Sequence, residues 1–166
     1  MKQYKTLARE LNILSLFDGL SGGQIVISEL FKKRGYNYYA SEIEKYALTI
    51  CAKNFPNTIQ LGDVTDVDFK KLPKISLLMA GFPCQSYSYA GKREGVKSKS
   101  GALIFQVFRA IEEASPDLLF LENVKGLVTI DKGETFKEIL RTLNTLGYLV
   151  DFIQINSALL SAQNRE

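Results

Sequence analysis

The chain is 166 residues long, 46% hydrophobic and 23% charged, with a formal net charge of +3. That composition belongs to a globular domain with its own core and excludes disordered and fibrous classes. There is no histidine, and the two cysteines are Cys51 and Cys84, which removes Cys-His hydrolases, Ser-His-Asp triads, HExxH proteases and the usual zinc sites, and leaves two expected free thiols.

Met1 to Glu10 is charged and lacks an apolar segment, and no run nears the roughly 18 apolar residues of a membrane span, so a soluble cytoplasmic protein with no membrane partner is expected. Asn12 to Phe17 reads as the first strand and Asp18-Gly19-Leu20-Ser21-Gly22-Gly23 as a tight glycine-rich turn. Ile25, Val26, Ser28, Glu29, Leu30 and Phe31 follow with helical spacing until Gly35. Strand, glycine turn and helix open the nucleotide-binding α/β folds, where a backbone without side chains lets a ligand approach closely. The spacing is not G-x-G-x-x-G, which argues against a standard dinucleotide phosphate site.

Tyr36 to Ser41 reads as a second strand closed by Glu42, at the position where a carboxylate can accept hydrogen bonds from ribose hydroxyls; a surface glutamate opening the next helix is the plainer alternative. That helix runs from about Glu44 to Asn54, with Cys51 on its core side. Thr58 to Leu61 makes a short third strand ending at Gly62-Asp63.

Ile75 to Ala80, bounded by Pro73 and Gly81, reads as a buried strand that delivers Gly81-Phe82-Pro83-Cys84-Gln85-Ser86-Tyr87-Ser88 at its C-terminal end. Pro83 restricts Phe82 to extended geometry and helps hold the Cys84 thiol. A cysteine by itself is weak evidence, since most are small core hydrophobes. Without histidine, a Cys84 thiolate needs a helix N-terminus, a nearby cation or the substrate to favour it. The loop from Ser86 to Gly101 carries Lys92, Arg93, Lys97 and Lys99 against Glu94, a net +3, while the remaining 17 basic and 17 acidic residues cancel. Such a loop is either a solvated linker or, beside a nucleophile, a phosphate contact.

Leu103, Ile104, Val107, Phe108 and Ile111 form a helical stripe suited to core packing. Asp117 to Leu121 is the fifth strand, ended by Glu122-Asn123. Phe136, Ile139, Leu140, Leu143 and Leu146 mark another helix capped at Gly147, and Tyr148 to Ile155 is read as a last strand. No repeat and no linker appears, so residues 1–166 are taken as one domain. Alternating strands and helices predict a parallel sheet covered on both faces, with ligands at the C-terminal strand ends. Asp18-Gly19, Glu42, Asp63, Cys84 and Glu122 each fall at such an end, on five different strands, and together describe a site.

With these residues placed, the chain resembles the C5-cytosine DNA methyltransferases from Asn12 to Arg165. Phe17-Asp18-Gly19-Leu20-Ser21-Gly22-Gly23 is similar to the family's first motif in its F-D-G variant, and Ser41-Glu42-Ile43-Glu44 and Gly62-Asp63-Val64 to the second and third. Gly81 to Ser88 resembles the Pro-Cys-Gln motif, Glu122-Asn123-Val124 the E-N-V motif, and Gln163-Asn164-Arg165 the start of Q-x-R-x-R. Ser100-Gly101 fits the family's S-R-G only in part, so an arginine on the DNA strand lacks a counterpart.

The resemblance implies a Rossmann-like methyltransferase fold, incomplete at its C-terminal end, and S-adenosyl-L-methionine as cofactor. Phe17, Gly19 and Gly23 are expected on its methionine side, Glu42 on the ribose, Ile43 and Asp63 on the adenine and Leu103 as an apolar wall, with Asp18, Leu20, Val64 and Pro83 also expected among the cofactor-binding residues. Cys84 is the implied nucleophile toward C6 of a cytosine flipped out of double-stranded DNA, Glu122 the acid at its N3, kept protonated by a buried strand end, and Arg165 the cation near its O2. Gln85, Ser88, Lys92, Arg93 and Asn123 are expected to contact DNA, and the loop from Ser86 to Ser100 to close over the base.

Family members continue past Q-x-R-x-R into a further strand and a target-recognition domain. A complementary C-terminal polypeptide, or self-association, is therefore an expected partner, in a bacterial or phage restriction-modification setting, cytoplasmic and on the nucleoid when DNA is bound. Two other functions share these features: a non-catalytic cofactor-binding subunit, and methylation of cytosine in RNA.

Overall fold

Asn12–Leu16 forms β1, and all five residues of this Asn-Ile-Leu-Ser-Leu run are buried, as a strand covered on both faces requires. The computed structural model describes residues 10–83, 103–156 and 158. Five strands form one parallel sheet in the order β3-β2-β1-β4-β5, with β2 at Asn37–Ser41, β3 at Ile59–Gln60, β4 at Leu77–Gly81 and β5 at Leu118–Glu122. Asn12 to Leu16 pairs in register with Asn37 to Ser41 on one side, and Ile13 to Leu16 with Leu77 to Ala80 on the other. The mixed α/β class read from the sequence is the one observed. β3 is shorter than expected: two exposed residues paired with Tyr39 and Ala40.

The chain divides into two compact units, Met1–Gly81 with Glu113–Leu121, and Phe82–Glu112 with Glu122–Glu166. In the first, Ile13, Ile27, Tyr38, Ala40 and Met79 form a core cluster with Leu11, Phe31, Tyr36 and Leu77 packed against it. Helix α1 (Gly22–Leu30) buries Gln24 and Ile27 while Ile25, Val26 and Leu30 face outward, so its inner face is not the aliphatic stripe expected. Gln24 is tolerated inside because its carbonyl oxygen accepts from the Thr58 hydroxyl at 2.8 Å. Helix α2 (Lys45–Asn54) buries Ala47 and Cys51 and is capped by Glu44, whose carboxylate accepts from the Tyr46 N–H.

In the second unit α3 (Leu103–Ala114), whose last residues return to the first, buries Ile104, Val107, Ala110 and Ile111 at helical spacing. A short α4 (Gly126–Thr129), absent from the sequence reading, precedes α5 (Glu134–Thr145), which buries Thr135, Ile139 and Leu143. The expected strand from Tyr148 to Ile155 does not form: residues 148–156 have no strand pairing. Leu149 is 102% exposed and Ile153 80%, while Phe152 meets Phe136 edge-on at 5.0 Å. Strand-forming composition becomes a strand only where a ladder of backbone bonds forms, and residues 148–156 do not take strand structure. No helix among the described residues is long and apolar enough to cross a membrane.

Candidate functional site

The turn after β1 is held in an unusual conformation. Phe17, Gly19 and Ser21 all take positive φ, at 56°, 56° and 58°. Only glycine does so freely, so Phe17 and Ser21 each store about 1–3 kcal/mol that other contacts must offset. Those contacts are hydrogen bonds. Asp18 N–H donates to Ser41 O at 3.2 Å, tying the exit of β1 to the end of β2, and Ser21 N–H donates to Asp18 O at 3.0 Å. The Ser21 hydroxyl, at the N-cap of α1, donates to Asp18 Oδ2 instead of capping its own helix. Tyr38 on β2 donates its phenol to Asp18 Oδ1 at 2.9 Å. Burial first, then the charge of Asp18, pushes that phenol far above its ordinary range, so it stays a donor. Cys51 Sγ lies 3.0 Å from Ser21 Oγ and donates to Gly19 O at 3.3 Å.

Gly23 is set by close approach: a Cβ there would fall 2.7 Å from Met79 Cε and 3.4 Å from the Tyr38 hydroxyl. Among the described residues, nothing lies within 4 Å of where a Cβ at Gly19, Gly22 or Gly62 would sit, so the turn and the loop after β3 present bare backbone there.

Glu42, half-buried at the end of β2, is bound into the same structure. Its Oε2 accepts from Gly19 N–H at 2.7 Å, and its Oε1 from the N–H groups of Ile43 and Glu44, each at 2.8 Å. Gly62 is linked to β2 by the Ser41 hydroxyl, which donates to Gly62 O at 2.8 Å. Asp63 follows, with Oδ1 accepting from both the N–H and the hydroxyl of Thr65. These two bonds hold its carboxyl below the usual range, backbone bond first, and keep it ionised as an acceptor. Ile43 is 67% exposed and Leu20 60%, whereas Val64 is buried. Bare backbone, two carboxylates and exposed apolar side chains suit a ligand with hydroxyl and amino donors and a flat apolar face, such as a nucleoside.

In the second unit the residues following β4 and β5 are joined by Asn123, whose Nδ2 donates to Phe82 O at 2.7 Å while its Oδ1 accepts from Val124 N–H. The Asn123 amide is thus engaged with backbone. Phe82 is buried, Pro83 exposed and Leu103 half-buried. Glu122 is exposed, a correction to the buried strand end expected for it: alternate residues of β5 (Leu118, Phe120, Glu122) point away from the core. Cys84, Gln85, Ser88, Lys92, Arg93 and Arg165 lie outside the described residues, as does the loop from Ser86 to Ser100.

The structure brings Phe17, Asp18, Gly19 and Glu42 together where β1 and β2 end. Tyr38 and Cys51 had no place in the sequence reading of this turn, because their partners are remote in sequence and neither sits in a motif that distinguishes it from core; Ser21 lies inside the glycine-rich motif but had no role in that reading. A buried tyrosine in a short strand was the one available signal, since its hydroxyl must find a partner.

Residues 11–166 match the family model described as C-5 cytosine-specific DNA methylase. The chain is 38% identical over 161 residues to the orphan methyltransferase M.SPRI of Bacillus phage SPR, covering 95% of this chain and 36% of that protein. It is 39% identical over 160 residues to the type II methyltransferase M1.ScrFI of Lactococcus lactis subsp. cremoris, covering 93% and 39%. With the type II methyltransferase M.Bsp6I of Bacillus sp. (strain RFL6) it shares 38% over 161 residues, covering 94% and 50%. The chain thus spans half or less of the length of these curated relatives. Among solved structures, the S. pombe Dnmt2 methyltransferase superposes with a TM-score of 0.60 at 20% identity, covering 80% of this chain and 42% of that one. Entamoeba histolytica methyltransferase EhMeth gives 0.60 at 20%, covering 82% and 44%. These two likenesses show the fold.

Proposed function

The chain belongs to the C-5 cytosine-specific DNA methylase family, and from that premise we propose that it is the cofactor-binding and catalytic portion of an enzyme that methylates C5 of cytosine in DNA. The residues present in the first unit fit S-adenosylmethionine. Gly19 and its neighbours Phe17 and Leu20 would take the methionine side, Glu42 the ribose hydroxyls, Ile43 the adenine face and Asp63 the adenine amino group. When bound, this cofactor supplies a methyl group on a positively charged sulfur, electrophilic enough for an activated C5. One bond carries the proposal: Gly19 N–H to Glu42 Oε2 at 2.7 Å, which joins the glycine turn of β1 and the acid of β2 into one cradle.

Cytosine C5 is a weak nucleophile until C6 carries an added sulfur. Cys84 supplies that sulfur, the C5–C6 π electrons move toward C5, and Glu122 meets the charge at N3 by a hydrogen bond or a proton. Once C5 is methylated, a water molecule takes its remaining proton and N3 returns to Glu122 any proton it received; the C6–S bond breaks, the C5–C6 double bond re-forms and Cys84 returns as thiolate. Arg165 serves the base at O2 and favours the thiolate through its positive charge. Because Glu122 is exposed, its cover during the reaction comes from the base and from further protein.

Such further protein is supported by a separate observation. Leu118 and Phe120 on β5 are more than half exposed, and so are Leu149, Phe152, Ile153 and Ile155. Apolar side chains left open on a strand and on an irregular segment favour association. In our proposal a further segment, a second polypeptide or another copy covers them, and DNA sequence reading resides outside residues 1–166.

Calorimetric titration of the chain with S-adenosylmethionine tests the cofactor assignment. Saturable one-to-one binding, weakened tenfold or more by Glu42→Ala, is expected. Absence of binding, or equal affinity in the variant, would overturn it.

A further inference from the structure

We propose that Tyr38 is a positioning residue for the cofactor, acting through Asp18, and that Asp18 serves the cofactor by shaping the glycine turn rather than by touching it. The proposal rests on the turn being the S-adenosylmethionine cradle. Both Asp18 oxygens are engaged inside the protein, Oδ1 by the Tyr38 phenol and Oδ2 by the Ser21 hydroxyl. Asp18 therefore joins β2 to the first residue before α1 across the positive-φ segment from Phe17 to Ser21.

The Tyr38 ring belongs to the core, packed with Ile13, Ile27, Ala40 and Met79, and phenylalanine would fill that space equally well. The hydroxyl is the part that core packing does not require. It is aimed from β2 at the turn, where it donates to Asp18 Oδ1 at 2.9 Å. Opposite the same turn, Gly19 N–H is fixed by Glu42. A turn with two non-glycine residues in the left-handed region relaxes when such bonds are removed. Its relaxed forms do not present Gly19 and Glu42 together, so binding must first restore the turn. Held in place beforehand, the cradle avoids that ordering cost.

The test is a set of variants in the complete chain, measured for S-adenosylmethionine affinity by calorimetry and for thermal midpoint. Tyr38→Phe is expected to weaken affinity on the order of tenfold, the effect of losing one charge-assisted hydrogen bond. In an Asp18→Ala background, Tyr38→Phe is expected to add no further loss of affinity, because both act through one bond. Ser21→Ala removes the other donor to Asp18 and is expected to weaken affinity in the same direction; it serves if Tyr38→Phe folds poorly. Hydrogen exchange adds a local readout: the Gly19 amide is expected to exchange faster in either variant while the β1 amides stay protected. Unchanged affinity in Tyr38→Phe and Ser21→Ala, with binding by the unaltered chain intact, overturns this proposal alone. Lowered thermal midpoints without loss of affinity give Tyr38 a structural role only and overturn it equally. No binding by the unaltered chain overturns the cofactor reading and this proposal with it.

Discussion

Replacing Glu42 by glutamine changes one atom and separates what its two oxygens do. Three backbone donors converge on this carboxylate: Ile43 and Glu44 on Oε1, and Gly19 on Oε2. A glutamine has one acceptor oxygen. Two donors meet at the Oε1 position, so the carbonyl oxygen stays there and the amide nitrogen faces Gly19 N–H, donor against donor. The loss is one hydrogen bond to a charged group, about 1.5–3 kcal/mol when shielded from water. Glu42 is half-buried, and water replaces part of the lost bond, so a stability loss of about 1–2 kcal/mol is expected. S-adenosylmethionine affinity should fall by at least about tenfold, the equivalent of 1.4 kcal/mol, because the turn and the proposed ribose acceptor are disturbed together. Glu42→Ala should cost more on both measures, since it also removes the acceptor for the Ile43 and Glu44 amides that lead into α2. Urea denaturation gives the first quantity and calorimetry the second. A glutamine variant equal to the unaltered protein in both, or an alanine variant no worse than glutamine, would refute the reasoning.

Four further outcomes are expected. Under the proposed function, Cys84→Ser should abolish transfer of labelled methyl groups to DNA in a preparation that carries the activity. Cys51→Ser should keep transfer at a cost of about 1 kcal/mol in stability, since a hydroxyl can still donate to Gly19 O; equal losses of activity would count against Cys84. Gly23→Ala drives a Cβ to 2.7 Å from Met79 Cε within the core; overpacking of about 1–3 kcal/mol less a helix-propensity gain of about 1 kcal/mol leaves a loss near 1 kcal/mol, and a stabilised variant would show that Met79 yields freely. Thr65 lowers the Asp63 pKa, so its stabilisation is present above the ordinary carboxyl value of 3.8 and is lost as pH falls through the lower folded value. Thr65→Val should therefore trail the unaltered protein in urea midpoint at pH 7, with the gap narrowing on acidification; a gap that widens is the contrary result. Leu149→Ser combined with Ile153→Ser should reduce concentration-dependent association in light scattering, and undiminished association would place the contact elsewhere.

Much of the framework was legible in the sequence because its signals are local. The buried run from Asn12 to Leu16, the glycines that follow it, and the acids at the ends of β2 and β3 are each specified within a few residues by burial, backbone freedom and chain direction. Parallel pairing then carries Gly19, Glu42 and Asp63 to the same end of the sheet, whatever the side chains around them do. Motif order pointed to the family for the same reason. Helix phase was less legible: Ile25 and Val26 look like core, yet Gln24 and Ile27 are inside, because the close approach of Gly23 to Met79 sets how α1 sits on the sheet. Strand propensity from Tyr148 to Ile155 was also readable, but a strand exists only when a neighbour accepts its hydrogen bonds, and that is a property of the assembled sheet.

The conformation of the cradle was decided by tertiary structure alone. Tyr38 and Asp18 are 20 residues apart, Gly19 and Glu42 23, and Ser21 and Cys51 30. No local pattern marks such pairs, since a buried tyrosine, serine or cysteine has the same sequence signature wherever its polar atom points. Folding brings them together around one carboxylate and one glycine amide, and hydrogen bonds, being short and directional, then determine which of the turn's accessible shapes persists.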